Sequence, residues 1–278
     1  MTGILPRPSE HLAYHDPPTA MMQFGKLTLK QCKYGWMLFK GPFIGKCFDL
    51  YGQYSESEVA LMRVFLREGG TVIDVGANIG DLTLPLARIV GESGRVFAIE
   101  SHPDNITILC ANLALNAIRN TRAINAFVAT SDKVDTGGGV WGKFAYVSEG
   151  WSTQFLALDS LELSACDLIK VDVDGKELEV LQSGEMQIER YRPVLYFEND
   201  VKEASAELLS YVMEKLGYDL YWHPAPIFDE QNFFGNPVNH WAPKNIMSLM
   251  VLGIPSERKL PMPQLRRIAN KQEWWPSA

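Results

Sequence analysis

The chain has 278 residues, with 26 lysines and arginines against 33 aspartates and glutamates, a formal charge of −7. That balance argues against a general nucleic-acid binder, which carries a basic surface, and the length admits one large domain or two small ones. Apolar residues make up 46% of the chain, but in short runs broken by charge, so no membrane-spanning helix is expected.

In chain order, residues 1–21 carry four prolines and no apolar core segment, which reads as a loose arm and not a secretory leader. Residues 22–70 read as a separate extension. From Met22 to Leu50, short apolar runs broken by Gly25, Gly35, Gly41-Pro42 and Gly45 predict a small antiparallel β element without helices. Ser55-Glu56-Ser57-Glu58 then has the form of a capping box opening a helix that ends at Gly69-Gly70. Four cysteines, Cys32, Cys47, Cys110 and Cys166, stand far apart without CxxC spacing. They read as reduced, mostly buried thiols of a cytoplasmic protein, not as a zinc site or a disulfide framework.

A new rhythm starts at Thr71. Strands are predicted over residues 71–76, 95–100, 123–128, 167–173 and 193–198, with helices over 80–90, 103–116, 176–182 and 201–216. Strands about 25 residues apart with helices between them describe an α/β domain: a mostly parallel sheet with helices on both faces, over residues 71–255. Residues 136–155, with Gly137-Gly138-Gly139 and several aromatics, break the alternation and read as a β-hairpin insertion over the site. Residues 218–221 and 247–252 are strand-like, residues 228–244 form a long loop, and residues 256–278 read as a tail.

The sharpest signal is Asp74-Val-Gly76-Ala77-Asn78-Ile-Gly80 at the end of the first α/β strand. Glycine permits a tight turn and close backbone approach, and the following helix N-terminus favours an anion. A dinucleotide site would need G-x-G-x-x-G, whereas here Asn78 occupies the middle place, and no Gly-Lys-Ser/Thr follows to make a phosphate loop. The anion at this helix is therefore expected to be a carboxylate, with Asp74 taking the ammonium of the same amino-acid-like ligand. Glu100 ends the second strand where an acid suits a ribose diol, and Ser101 and His102 follow it. Ribose plus an amino-acid tail without phosphate points to S-adenosyl-L-methionine (SAM).

At these motifs the chain resembles the FkbM family of class I, Rossmann-like SAM-dependent methyltransferases. The matching stretches, in family order, are residues 51–58 (YGQYSESE), 72–80 (VIDVGANIG), 158–161 (LDSL), 167–175 (DLIKVDVDG) and 192–198 (RPVLYFE). Asp174 stands where the family usually has Glu, and Ser101-His102-Pro103 where Glu-Pro is commoner. The resemblance implies O-methylation of a small acceptor, often a sugar hydroxyl of a glycan or natural product. It also places the strand ends at Asp172 and Glu198 beside the one at Asp74, with Asn199 and Asp200 facing the methyl-donor end of the cofactor.

An alcohol is a poor nucleophile until its proton is taken, so a base or a metal is required. Asp172, at the end of an apolar strand, is the leading candidate, with Glu198 beside it. Lys170 lies on the same strand side, either ion-paired to a carboxylate or touching a ligand. His223, following a late strand, has an unperturbed pKa suited to a base, and His240 is the runner-up. Asp172, Glu198 and Asn199 could also form an oxygen-ligand Mg²⁺ site, but no metal is expected. Aromatics including Trp141, Trp151, Tyr221, Trp222, Phe233, Phe234 and Trp241 would suit stacking on sugar rings. N-methylation of a small amine or peptide and a catalytically silent SAM-binding module are the alternatives. Nucleic acid and membrane are not expected as partners, and self-association is left open.

Overall fold

The computed structural model describes residues 21–130, 153–242, 247–258 and 265–275. Its centre is a nine-stranded sheet in the order β12-β10-β11-β9-β8-β4-β5-β6-β7. The parallel part comprises β4 (Thr71–Val75), β5 (Arg95–Glu100), β6 (Thr121–Val128), β7 (Gln154–Leu156), β8 (Leu168–Val171) and β9 (Val194–Glu198). β10 (Tyr218–Pro226), β11 (Met247–Pro255) and β12 (Arg266–Arg267) complete one side in antiparallel sense. β4 and β8 are buried along their whole length, as continuous runs of Val, Ile and Leu require of strands covered on both faces.

Helices α3 (Thr83–Val90), α4 (Pro103–Leu115), α5 (Glu177–Gln182), α6 (Glu185–Tyr191) and α7 (Lys202–Ser210) link these strands. Ile73, Ile169, Leu195 and Val251 pack on one face with Leu208 and Val212, while Val72, Leu168, Tyr196 and Leu252 pack on the other with Val59, Leu86 and Val90. The helix predicted over 201–216 loosens after α7 into a wide π-helical turn at Tyr211–Lys215, and α6 was not anticipated.

The N-terminal extension holds a three-stranded antiparallel sheet, β1 (Met21–Phe24), β2 (Leu27–Cys32) and β3 (Gly35–Phe39), then α1 (Ile44–Tyr51) and α2 (Glu56–Phe65). α1 corrects the expectation of β structure alone. Ile44, Cys47, Phe48 and Tyr51 recur at helical spacing, and Gly45 lies inside the helix, not in a turn. Asn112 of α4 and Asn116, directly after that helix, fasten the extension to the main sheet. Asn112 Oδ1 accepts the Leu38 N–H (2.6 Å) while its Nδ2 donates to Leu38 O and Ile79 O; Asn116 pairs in the same way with the N–H and C=O of Trp36. These side chains act as a surrogate strand along the edge of β3.

The capping box also takes another form. Ser55 adopts the left-handed region (φ +43°) and its hydroxyl donates to the Glu58 carboxylate, with no side-chain bond to a helix N–H. At the other end, residues 265–275 lie against the sheet: the Ile268 N–H donates to Leu220 O (2.8 Å), and Trp274 and Trp275 flank Trp222 at 6.1 and 6.5 Å. The loose arm over 1–20 lies outside the described residues, as does the expected hairpin insertion apart from its last residues. Gln154 and Phe155 belong to β7, parallel to β6. Among the described residues, no helix is long and apolar enough to cross a membrane.

Candidate active site

The parallel strands all point their carboxyl ends the same way, and a cavity of about 720 Å³ opens there. Its wall runs from Glu100, Ser101 and His102 after β5, past Gly76, Asn78 and Asp81 after β4, to Asp172 and Asp174 after β8 and Glu198 and Asp200 at β9. The extension contributes Lys40, Phe43 and Tyr54 to the same wall, and Phe127 of β6 adds a ring.

Gly76 has φ +77°, and a Cβ there would sit 1.8 Å from the carbonyl oxygen of Asp172. Glycine is therefore required first by the neighbouring chain, which brings the residue after β8 into direct contact with the loop. Asn78 also sits in the left-handed region (φ +47°), which asparagine tolerates. Its N–H donates to Glu100 Oε2 (2.8 Å), and the His102 N–H donates to Glu100 Oε1 (2.7 Å). The Glu100 carboxylate is thus held by one backbone donor on each oxygen, leaving lone pairs for two hydroxyls. His102 Nδ1 accepts the Asp104 N–H and so caps α4. Two loop residues do not reach the cavity: Ala77 is buried in the core with Leu84 and Leu109, and Gly80 packs against the same two leucines.

Asp74 corrects another expectation. It is fully buried and does not line the cavity. Its Oδ2 accepts the Thr83 hydroxyl (2.6 Å) and its Oδ1 lies 3.4 Å from Lys170 Nζ. The carboxylate therefore anchors the start of α3 and neutralises the lysine, and it stands behind the cavity wall. Lys170, 2% exposed, also donates to Gly76 O (3.0 Å) and stands 3.7 Å from Asp172 Oδ2. Burial opposes its charge, yet Asp74, Asp172, Asp81 and Glu58 outweigh burial and hold the lysine well above its ordinary pKa. Lys170 is absent from the cavity wall, so it is a positioning residue that ties the glycine loop to Asp172.

Beyond Asp172 the wall is acidic. Glu198 Oε2 is buried without a hydrogen-bond partner, and burial followed by the charges of Asp172 and Asp200 raises the carboxyl to about 11. Burial and Asp172 raise Asp174 to about 6. Asn199 does not join this wall, because its Nδ2 donates to Ser205 Oγ (2.9 Å). Among the described residues, no three of His, Cys, Asp and Glu are grouped to hold a metal ion.

His223 is the clearest departure. It lies within β10, 9% exposed and away from the cavity, with Nδ1 hydrogen-bonded to the Tyr196 hydroxyl at 2.7 Å. Burial lowers its pKa to about 4, which leaves it a neutral imidazole locked in the interior. The expected base is thus a structural partner of Tyr196. His240 lies beside Tyr51, whose hydroxyl accepts its N–H. Of the aromatics expected to stack on a ligand, Trp222 is buried in the core, Phe233 and Phe234 pack beside Gly52, and Trp141 and Trp151 lie outside the described residues. Trp241 contacts Phe43 at 5.1 Å and only backs the wall. The sequence reading missed Asp81, Phe43 and Tyr54. An acid directly after Gly80 was a usable signal for the first; the other two arrive from the extension through tertiary packing.

A family model described as the methyltransferase FkbM domain matches residues 74–220, more than half of the chain. A 23S rRNA (uracil-C5) methyltransferase of Acinetobacter baylyi is 38% identical over 55 residues, 20% of this chain and 12% of that protein. A probable cobalt-precorrin-6B C15-methyltransferase of Pyrobaculum aerophilum is 38% identical over 56 residues, 20% of this chain and 29% of that protein. The chain therefore spans less than a third of either curated relative. A crystal structure of methyltransferase FkbM from Methylobacillus flagellatus superposes with a TM-score of 0.45 at 17% identity, covering 68% of this chain and 44% of that one.

Proposed function

The chain belongs to the FkbM family of SAM-dependent methyltransferases, and from that premise we propose that it methylates a hydroxyl of a small molecule, a sugar or natural-product moiety. When bound, the cofactor supplies an electrophilic methyl group carried on a sulfonium. The residues present fit it: Glu100 keeps free lone pairs for a ribose diol, and Gly76, Asn78 and Ile79 of the glycine turn line the same cavity.

The reading rests on the position of Asp172. The contact between its backbone and Gly76 sets it against the cofactor loop, while its carboxylate faces the cavity within 3.7 Å of Lys170. In this reading Asp172 accepts the hydroxyl proton as the methyl group is transferred, and Lys170 fixes its orientation from beneath. Glu198, protonated at neutral pH by burial and its acidic neighbours, donates a hydrogen bond to a second oxygen of the acceptor. Phe43 and Tyr54 close the apolar side of the cavity.

Asp172→Asn keeps the shape but cannot take a proton. It should lower kcat by at least about a hundredfold, with SAM affinity within about twofold of wild type. Near wild-type turnover would overturn the assignment of the base. A panel of sugars and metabolites assayed with radiolabelled SAM would identify the acceptor.

One observation favours a second reading. Asp174 and Asp200 line the wall with no cation of their own within ion-pair distance among the described residues, which suits a protonated amine and hence N-methylation. The two curated relatives named above methylate carbon, but the matched share of each is too small to transfer an acceptor.

A further inference from the structure

We propose that Asp81 is the cation anchor of the cavity and takes the ammonium group of the cofactor's amino-acid tail. The proposal rests on the cavity binding SAM, and it goes further by naming which carboxylate recognises the charged end of that ligand.

Asp81 is nine-tenths buried, lines the cavity, and its Oδ1 has no hydrogen-bond partner among the described residues. A buried carboxylate oxygen without a donor is costly unless a ligand provides one. The protein has a cation nearby, but that cation is committed elsewhere: Lys170 Nζ reaches Asp74, Asp172 and Gly76 O, and makes no ion pair with Asp81. The deep carboxylate that the chain does pair, Asp74, is sealed from the cavity by Thr83 and Lys170.

The missing partner must therefore come from the cavity, and a cation carrying N–H donors is the group that would displace the proton burial keeps on Asp81 and pair the resulting carboxylate. A sulfonium has no proton to donate; a primary ammonium has three. A metal ion would need more ligands than this one carboxylate, and no such group exists among the described residues. Asp81 also stands one residue beyond Gly80, on the segment leading into α3, beside Gly76, Asn78 and Ile79 on the same cavity wall.

The groups around Asp81 decide how it titrates. Lys170 from β8 favours its charge; Asp74 from β4 and Asp172 after β8 oppose it, and Tyr54 and Cys47 of the extension face it as neutral groups. Burial dominates and raises the carboxyl to about 8, so the free protein holds a proton there at pH 7. An arriving ammonium stabilises the carboxylate, and the displaced proton passes to the buffer.

The test is titration calorimetry of the wild-type chain at pH 7 with S-adenosylhomocysteine and with its desamino analogue, in phosphate and in Tris. The wild type should bind the amine-bearing ligand at least about tenfold more tightly, with proton release for that ligand alone. Asp81→Asn should lower its affinity to that of the desamino analogue, abolish the proton release, and leave desamino binding within about twofold. Equal affinity of the wild type for the two ligands, or equal losses for both in Asp81→Asn, would overturn the proposal. If S-adenosylhomocysteine fails to bind at all, the cofactor reading beneath it falls too. The wild-type comparison needs no variant, so a poorly folded mutant would not spoil the result.

Discussion

Glu100 and Glu198 end two strands of the same sheet and line the same cavity, but the fold treats them differently. Glu100 receives one backbone N–H on each oxygen, from Asn78 and His102. Glu198 has a buried oxygen with no partner and faces Asp172, Asp174 and Asp200. One end is completed by the chain itself before any ligand arrives. The other is left to be completed by whatever is bound. Such a division suits a protein that meets one invariant cofactor and one particular acceptor: rigidity where the ligand never changes, open valences where it does.

The sharpest way to break this contrast is to cut the finished end. Glu100→Ala removes both acceptors of the diol and leaves two backbone N–H groups unpaired. S-adenosylhomocysteine affinity measured by calorimetry should fall at least about tenfold, or 1.4 kcal/mol. Glu198→Gln tests the open end. An amide resembles the protonated carboxyl, so cofactor affinity should stay within about twofold, while the acceptor KM rises about threefold to tenfold. Equal losses of cofactor affinity in the two variants would dissolve the distinction.

His223 supplies the smallest catalytic effect and a separate thermodynamic one. His223→Ala should leave kcat within about threefold and the rate profile without a histidine limb at pH 6–7, since the ring never meets the cavity. It should cost about 1–3 kcal/mol of stability in denaturant unfolding, because the buried Tyr196 hydroxyl loses one of its two side-chain partners and keeps only Glu58, and because the ring leaves a cavity. The sign of the pH effect follows from the lowered pKa. Between about pH 6.5 and 4 the unfolded chain binds a proton that native His223 refuses. Wild-type stability should therefore decline as pH falls through that window, and the alanine variant should lose this part of the decline.

Much of the site was legible because a parallel sheet gathers its strand ends on one edge, which brings Gly76 and Glu100 together, and because the strand order implied by the family resemblance sets Asp172 and Glu198 beside them. Asp74 was misread for a reason the sequence does not carry. It is the register partner of Lys170 on the adjacent strand, and this pairing turns its carboxylate inward. His223 is followed by Pro224 and Pro226, residues that strands usually exclude. β10 nevertheless runs through both: β12 pairs with it only at Tyr221 and Trp222, so the edge opposite those prolines needs no donor. α1 was hidden by its glycine. The contribution of Phe43 and Tyr54 depends on how the extension packs, which local patterns do not reveal.

The order in which the ribosome delivers the chain adds a kinetic consequence. β11 is threaded between β9 and β10, although it is synthesised after both. Until residues 247–255 emerge, the nascent sheet must keep a slot open, with Tyr196 and Phe197 presenting an unpaired edge. Nascent chains halted before that point should be the species that aggregate or recruit chaperones, and release from them should coincide with insertion of this single strand.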